Sequence, residues 1–206
     1  ILINNAGTVA PNAVLGQQNA ADIARTITLN ITAPMLLGNH LAQCKPKHAL
    51  LKIVYISSGA GRRPFAGWNV YGATKAFVRQ FSLNLRADLA GKNIRITNIE
   101  PGLCGGTEFS NVRFKGDEER VNKLYENVDY IRAEDIARTA LWLYQCPPHM
   151  NVNAIEIMPV AQTFAAHTVT RKTAPEGNAA NDAASHNAAN EAQPKGLFGK
   201  LASLFK

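Results

Sequence analysis

The 206-residue sequence has little cysteine and no long apolar run. No apolar stretch approaches the roughly 18 residues that a membrane-spanning helix needs, so we expect no such helix. We also expect no basic and apolar secretory leader. The three cysteines, Cys44, Cys104 and Cys146, are odd in number and widely spaced. This usage argues against a disulfide framework and favours a reducing, cytoplasmic compartment.

Basic clusters and metal-ligand spacings are absent as well. The net charge is +7, but the basic residues are scattered and form no run of five or more. Scattered basic residues make nucleic acid an improbable partner. The histidines show no spacing suited to a metal ion, so we expect no metal site. They are His40, His48, His149, His167 and His186.

Up to about residue 164, segments with strand and helix patterns alternate. Hydrophobic residues make up 46% of the sequence, enough for one globular domain with a core. The predicted strands cover residues 1–4, 52–56, 94–99 and 152–158, and the predicted helices cover 19–43, 70–90, 118–128 and 133–145. A long Gly-rich loop, 103–117, follows the third strand. This order predicts an α/β fold with a doubly wound parallel sheet of the Rossmann type.

Residues 52–75 contain the side chains best suited to take part in a reaction. The apolar, β-branched run Ile53–Ile56 predicts a buried parallel strand, which stops at a pair of serines ending in Ser58. Tyr71 and Lys75 begin the next helix and are one turn apart, so they share a face. An ammonium about 4 Å from a phenol can lower the phenol pKa by roughly three units. The set still lacks a hydride carrier, which only a cofactor can supply.

Five motifs in this order resemble the short-chain dehydrogenase/reductase family. Ser58 precedes Tyr71 by 13 positions, and Tyr71–Lys75 fits the family's Tyr-x-x-x-Lys pattern. The turn Asn-Asn-Ala-Gly at 4–7, the helical Asn30 and the Pro-Gly pair at 101–102 also match. The resemblance covers residues 1–158. Within the family, the blocks 69–86 and 100–114 are similar to bacterial NADP-dependent 3-hydroxy acid dehydrogenases.

The resemblance implies a role for each matching residue. Tyr71 is the general acid/base, Lys75 lowers its pKa and binds the nicotinamide ribose, and Ser58 positions the reacting oxygen. Asn30 would hold a water that links Lys75 to solvent. The cofactor NADP would contact the first turn and the loop after the third strand. The implied cofactor residues are Asn5, Ala6, Gly7, Tyr71, Lys75, Pro101, Gly102, Leu103, Cys104, Gly105, Gly106, Thr107, Glu108 and Phe109.

The implied reaction is hydride transfer between NADP and the CH–OH group of a small 3-hydroxy acid. The candidate substrates are the pair 3-hydroxypropionate and malonic semialdehyde, serine, and L-allo-threonine. Ser58 and Tyr71 would contact the substrate. Arg113 or Lys115 could meet its carboxylate, although a solvated loop cation is an equally good interpretation of either residue. The alternative enzyme is another short-chain reductase, for example of 3-oxoacyl thioesters. An inactive regulatory paralogue is disfavoured by the intact tetrad. The resemblance also implies a cytoplasmic homotetramer.

One family motif is missing from the sequence. The Gly-rich phosphate turn Thr-Gly-x-x-x-Gly-x-Gly does not occur, and the first residue is an isoleucine inside a predicted strand. We therefore expect an N-terminally truncated fragment without the first strand–helix units. We expect this polypeptide alone to be inactive and not to fold cooperatively.

Residues 165–206 have a different composition from residues 1–164. The stretch 174–194 contains eight alanines, four asparagines and no aromatic or β-branched residue, which predicts a disordered linker over 165–195. Residues 196–206 predict a short amphipathic helix with lysines opposite its apolar face. As an alternative to an enzymatic function, we consider the hypothesis that this helix binds a membrane surface or a groove on a partner protein. Its apolar face consists of Leu197, Phe198, Leu201, Leu204 and Phe205.

Overall fold

A four-stranded parallel sheet forms the centre of the computed structural model, which describes residues 1–164. The strands are β1 (Leu2–Asn4), β2 (Leu51–Ile56), β3 (Ile94–Pro101) and β4 (Ala154–Ile157), and they lie in this order across the sheet. Each neighbouring pair is parallel, with Ile53 opposite Leu2 on one side and Ile96 on the other. The predicted α/β fold with a parallel sheet is confirmed.

Helices connect the strands. They are α1 (Ala20–Ile27), a π-helical turn (Thr28–Thr32), α2 (Ala33–Cys44), a 3₁₀ turn (Gly59–Gly61), α3 (Asn69–Asp88), α4 (Phe109–Arg113), α5 (Glu118–Tyr125) and α6 (Ala133–Gln145). Asn19 caps α1 by accepting a hydrogen bond from the amide of Ala21, and Asp117 caps α5 in the same way through the amide of Arg120. These caps fix where the two helices begin.

The two faces of the sheet are covered by different helices. Ile53 and Tyr55 point to a cluster that includes Val78 of α3, with Leu41 of α2 at its edge. Val54, between them in sequence, points to the opposite face and packs with Leu143 of α6. Alternate side chains of one strand therefore enter separate cores, as expected for a sheet covered on both faces. This double covering leaves the carboxyl ends of the strands as the accessible edge.

Some predicted element boundaries differ from the structure. The predicted helix 19–43 is interrupted at Thr28–Thr32, because Pro34 has no amide to donate to the carbonyl of Asn30 and its ring crowds that carbonyl. The predicted loop 103–117 contains the short helix α4, and the predicted helix 118–128 ends at Tyr125. The last strand is shorter than 152–158. The interruption near Pro34 matters most, since it carries Asn30.

Two predictions concern residues beyond those described. The linker 165–195 and the amphipathic helix 196–206, with its membrane or partner contact, lie outside residues 1–164 and stay predictions. Within residues 1–164, no helix has both the length and the apolar character needed to span a bilayer.

Candidate active site

Lys75 is fixed to the end of strand β2 by two backbone contacts. Its ammonium donates to the carbonyl of Ile56 at 2.8 Å, and the hydroxyl of Ser57 donates to the carbonyl of Lys75 at 2.7 Å. Gly61 packs directly against the backbone of Lys75, so that a Cβ added at Gly61 would lie 2.7 Å from the Lys75 carbonyl carbon. Only glycine permits this approach. Strand β2, the 3₁₀ turn and helix α3 therefore form one rigid unit around Lys75.

Tyr71 lies in the same unit, one helical turn before Lys75. Its side chain is 6% exposed, and its hydroxyl lies near enough to Ser58 for that residue to lower the Tyr71 pKa. The ring packs against Trp68 and Phe109, with centroid distances of 5.1 Å and 5.5 Å. Ser58 in turn accepts a hydrogen bond from the amide of Ala60. Ser58, Tyr71 and Lys75, which we call the catalytic corner, are brought together as the spacing predicts.

The pKa shifts of the catalytic corner come mainly from burial. Burial raises the pKa of Tyr71 to about 12, and the nearby Ser58 and the charge of Arg113 lower it in part. Burial also lowers the pKa of Lys75 to about 8. Lys75 Nζ lies 5.7 Å from the Tyr71 ring centroid and is not among the groups that lower the Tyr71 pKa. In this state Tyr71 keeps its proton at neutral pH, which suits proton donation to a carbonyl oxygen.

Asn30 is buried on the π-helical turn, and its side chain contacts the first loop rather than Lys75. Its Oδ1 accepts from the amide of Thr8 at 2.8 Å, and its Nδ2 donates to the Thr8 carbonyl and to Thr74 Oγ1. Gly7 separates Asn30 from Lys75: a Cβ there would lie 3.3 Å from Asn30 Oδ1 and 3.5 Å from Lys75 Nζ. Both Nδ2 hydrogens and one acceptor site of Oδ1 are therefore engaged within the chain, and the water that the resemblance implies for Asn30 stays a prediction.

A cleft of about 590 Å³ opens at the carboxyl ends of the strands. Most of the expected site residues line it, whereas Ala6, Asn30, Gly105 and Gly106 do not. The expected residues that line the cleft are Asn5, Gly7, Ser58, Tyr71, Lys75, Pro101, Gly102, Leu103, Cys104, Thr107, Glu108, Phe109 and Arg113. The volume lies within the usual range for small-molecule sites.

The loop after β3 uses part of its own backbone to keep its shape. The amide of Leu103 donates to Gln162 Oε1 at 2.7 Å, and the amide of Gly105 donates to the carbonyl of Ile131. Gly105 packs against Tyr130, where an added Cβ would lie 2.6 Å from the ring. Two backbone donors expected to face a cofactor are therefore engaged within the chain. Gly105 is required for close packing, while Gly106 adopts a positive φ of 69°.

The cleft fits the nicotinamide end of a dinucleotide cofactor. Gly7 and Lys75 both line the cleft at the carboxyl ends of the strands. Gly7 leaves open the space beside Lys75 that a Cβ would fill. A lysine beside a glycine gap at the sheet edge suits a ribose. In contrast, residues 1–164 contain no group of three or more His, Cys, Asp or Glu side chains able to hold a metal ion.

A group of ion pairs next to the turn after Ser58 was not predicted from the sequence. Glu100 is fully buried at the end of β3 and pairs with Arg62 and with Arg79, the latter at 3.2 Å. Arg63 pairs with Glu156 of β4, and its hydrogen bond lowers the pKa of Glu156. The Arg62 and Arg63 pairs connect the turn after Ser58 to neighbouring strands, and the Arg79 pair connects α3 to β3. The Arg-Arg pair before Pro64 was the only signal in the sequence.

Two aromatic residues of the cleft also escaped prediction. Trp68 lies one turn before Tyr71, and this spacing could have placed it beside Tyr71. Tyr125 ends α5, where its hydroxyl hydrogen-bonds with Ser110 Oγ at 2.6 Å and donates to the carbonyl of Cys104 at 3.0 Å. No sequence pattern indicates these bonds, because they join segments 15 and 21 residues apart.

Comparison with known proteins gives matches over most of the described chain. The family model for short chain dehydrogenases matches residues 1–118. A probable NADP-dependent dehydrogenase of Haemophilus influenzae is 50% identical over 172 residues, which are 84% of this chain and 68% of that protein. An NADP-dependent 3-hydroxy acid dehydrogenase of Salmonella typhi is 46% identical over 171 residues, 83% of this chain and 69% of the relative.

A solved structure gives the same result for the fold. The closed form of a serine dehydrogenase complexed with NADP+ superposes with a TM-score of 0.75 at 43% sequence identity, over 83% of this chain and 69% of that one. In addition, a serine 3-dehydrogenase of Agrobacterium fabrum is 44% identical over 173 residues, 84% of this chain and 69% of the relative.

Proposed function

The chain belongs to the short-chain dehydrogenase family, and we propose that it forms the catalytic part of an oxidoreductase acting on a small 3-hydroxy acid. The activity on CH–OH donors and the use of NADP follow from relatives that are 44–50% identical. The finer choice of substrate rests on two relatives, named for 3-hydroxy acids and for serine. The observation that carries the proposal is the catalytic corner, in which Ser58, Tyr71 and Lys75 meet at the edge of the sheet.

We assign the proton transfer to Tyr71 and the orientation of the substrate oxygen to Ser58. Tyr71 is protonated at neutral pH, so it can donate its proton to the carbonyl oxygen of the 3-oxo acid. Ser58 lies beside the Tyr71 hydroxyl and can direct the same oxygen toward it. In the oxidative direction, Tyr71 must first lose its own proton to solvent, and the phenolate then receives the proton of the substrate hydroxyl. The aromatic contacts from Trp68 and Phe109 keep water away from this exchange.

NADP, when bound, supplies or accepts the hydride at the carbinol carbon. We propose that Lys75 and Asn5 hold the nicotinamide ribose and that the residues 101–109 lining the cleft surround the ring. Lys75 can also pass a proton between Tyr71 and solvent, since burial lowers its pKa to about 8. We assign to Asn30 the task of holding the first loop and α3 in register.

Steady-state kinetics of the full-length enzyme with a panel of substrates tests the proposal. The panel contains 3-hydroxypropionate, serine, L-allo-threonine and a 3-hydroxyacyl thioester, each with NADP+ and with NAD+. We expect the free hydroxy acids to have a kcat/KM at least about tenfold above the thioester, because each missing or misplaced polar contact costs about 1.4 kcal/mol or more. A preference for the thioester would instead identify the other short-chain reductase. The 206-residue polypeptide, assayed in parallel, tests its expected inactivity.

We propose further that the full-length enzyme is a homotetramer. Exposed apolar side chains occur on two separate helices of residues 1–164, on α2 with Leu36 63% exposed and on α6 with Leu141 55% exposed. Unpartnered apolar faces of this kind favour association, and two separate faces suit two interfaces of a closed assembly. Sedimentation velocity of the wild type and of the Leu36→Glu and Leu141→Glu variants tests this. Sedimentation of the wild type as a monomer would reject it.

A further inference from the structure

Arg113 is the cation of the cleft that the sequence alone could not place. It is 8% exposed, although it lies in a segment of mixed charge that is mostly at the surface. Its guanidinium stacks 4.5 Å above the ring of Trp68 and 4.6 Å from the ring of Phe114. Its Nε donates to Asn12 Oδ1 at 3.3 Å. Stacking and this hydrogen bond hold the guanidinium in one orientation, which a solvated loop cation would not have.

No carboxylate balances this buried charge among residues 1–164. The ion pairs there belong to Arg62, Arg63, Arg79 and Arg138. The charges that act on Arg113 come from Tyr125, Arg120 and Tyr71, and burial lowers its pKa to about 10. A buried arginine without an anionic partner is costly unless a ligand supplies the anion. Its terminal nitrogens, which make no hydrogen bond within residues 1–164, are a fork that suits a carboxylate.

Arg113 lies in the same part of the cleft as Tyr71. Arg113 and Tyr71 line the same cleft and contact the same indole, since the Trp68 ring centroid lies 5.1 Å from that of Tyr71. A substrate whose hydroxyl carbon meets Ser58 and Tyr71 would place its other end toward Arg113. In a 3-hydroxy acid, a single methylene separates the carbinol carbon from the carboxylate. The cleft therefore offers a proton donor and a carboxylate receptor one aromatic ring apart.

We propose that Arg113 binds the substrate carboxylate, with Asn12, Trp68 and Phe114 as the cradle that orients it. This assignment rests on the proposed function and deepens it, because it names the group that separates free hydroxy acids from esters and thioesters. Lysine cannot replace Arg113 fully, since it lacks both the planar stacking surface and the fork. Arginine at this position thus sets specificity, whereas Tyr71 performs the chemistry.

The test compares 3-hydroxypropionate with its methyl ester in the full-length enzyme. The two substrates differ in one charge and share the carbinol group. Arg113→Gln should raise KM for the acid about 10- to 100-fold and change KM for the ester less than about threefold, because a hydrogen bond to a charged group is lost only with the acid. Arg113→Lys should give an intermediate rise with the acid alone.

Arg120→Gln is the matched control. Arg120 stacks on the same Phe114 ring at 4.7 Å, but it is exposed and does not line the cleft. Its loss should leave KM for both substrates within about twofold, since an exposed charge contributes little. If Arg113→Gln does not fold, as judged by circular dichroism, Arg113→Lys decides the question with the same pair of substrates.

A binding measurement keeps this inference separate from the proposed function. Calorimetric titration of the enzyme–NADP+ complex with 3-hydroxypropionate requires no turnover. Carboxylate binding that weakens at least tenfold in Arg113→Gln, with the ester unaffected, supports the inference even if no oxidation is observed. Turnover of 3-hydroxypropionate with equal KM in the wild type and both Arg113 variants would overturn the inference and leave the proposed function intact.

Discussion

The catalytic corner and the segment 102–130, which we call the cover segment, face the same cleft but are built differently. Tyr71 and Lys75 are 6% and 7% exposed and lie on a helix of 20 residues that packs on strands β2 and β3. The cover segment has two short helices, α4 with five residues and α5 with eight and no buried side chain. The residues proposed for the reaction chemistry thus lie on long, buried elements, and the residue proposed for the carboxylate contact lies on a short element that can change at small cost in stability.

The largest expected effect tests the catalytic corner itself. Tyr71→Phe should lower kcat/KM about 10²- to 10⁴-fold, because the group that transfers the proton is lost while the ring packing stays. NADP binding should remain within about threefold. Tyr55→Phe is the control, since that buried hydroxyl has no hydrogen-bond partner among residues 1–164 and its loss should leave activity unchanged. Steady-state kinetics measures both, and more than a tenth of wild-type activity in Tyr71→Phe would contradict the assignment.

The next effect tests whether the corner depends on buried polar contacts. Asn30→Ala removes three hydrogen bonds, to the amide and carbonyl of Thr8 and to Thr74. The free energy of unfolding should fall by about 2–4 kcal/mol, because both backbone groups of Thr8 are left unsatisfied. Asn84→Ala on the exposed face of α3 should cost less than about 0.5 kcal/mol. Urea denaturation measures the free energy of unfolding of both variants. Equal losses would show that the hydrogen bonds of Asn30 contribute no more to stability than those of an exposed asparagine.

A third effect is the pH dependence of stability that the buried Lys75 of the catalytic corner causes. The pKa of Lys75 is about 8 in the folded protein, below its ordinary value of 10.5. The unfolded state binds more protons between these values, so the Lys75 contribution to stability rises as pH increases through that window. The gain reaches about 3 kcal/mol in full and about 2 kcal/mol between pH 7 and 9.5. Denaturant titrations of wild type and Lys75→Met at both pH values should show this difference. An equal pH dependence in the two proteins would exclude a desolvated Lys75.

The smallest effect concerns the cover segment. Tyr125→Phe removes the hydrogen bonds that join α5 to Ser110 and to the carbonyl of Cys104. KM for the substrate should rise about 2- to 10-fold with kcat nearly unchanged, since neutral hydrogen bonds contribute about 0.5–1.5 kcal/mol each. Tyr130→Phe is the control, because Tyr130 packs on the Tyr125 ring without such a bond within residues 1–164. A loss of kcat as large as that of Tyr71→Phe would remove the distinction between the two regions.

The sequence predicts the catalytic corner well because its information is local. A β-branched run, a pair of serines and a Tyr–Lys pair one turn apart specify strand, turn and helix within 24 residues, and the parallel sheet brings the strand end to the helix start. The cover segment is different. Its glycines predicted a loop, although Phe109–Arg113 form a helix there.

Contacts between distant segments could not be predicted. A charged residue in a polar loop also indicates a solvated side chain, so the sequence could not decide between the two interpretations of Arg113 before the structure brought Trp68 and Asn12 to it. The partners of Glu100 have the same origin, since Arg62 and Arg79 lie 38 and 21 positions away along the chain. Asn30 was identified from a motif, but its bond to Thr8 depends on the folded arrangement.

The hydrogen bonds of Asn30 also set the order in which the active site can form. They join the loop 22 residues earlier to a helix 44 residues later, so they appear only after two chain loops have closed. Closing such loops costs entropy before any contact compensates for it, which makes non-local sites slow to assemble. Strand β2 and helix α3 can meet sooner through local contacts. In refolding of the full-length protein, secondary structure should therefore precede recovery of activity, with Asn30 acting in the last step.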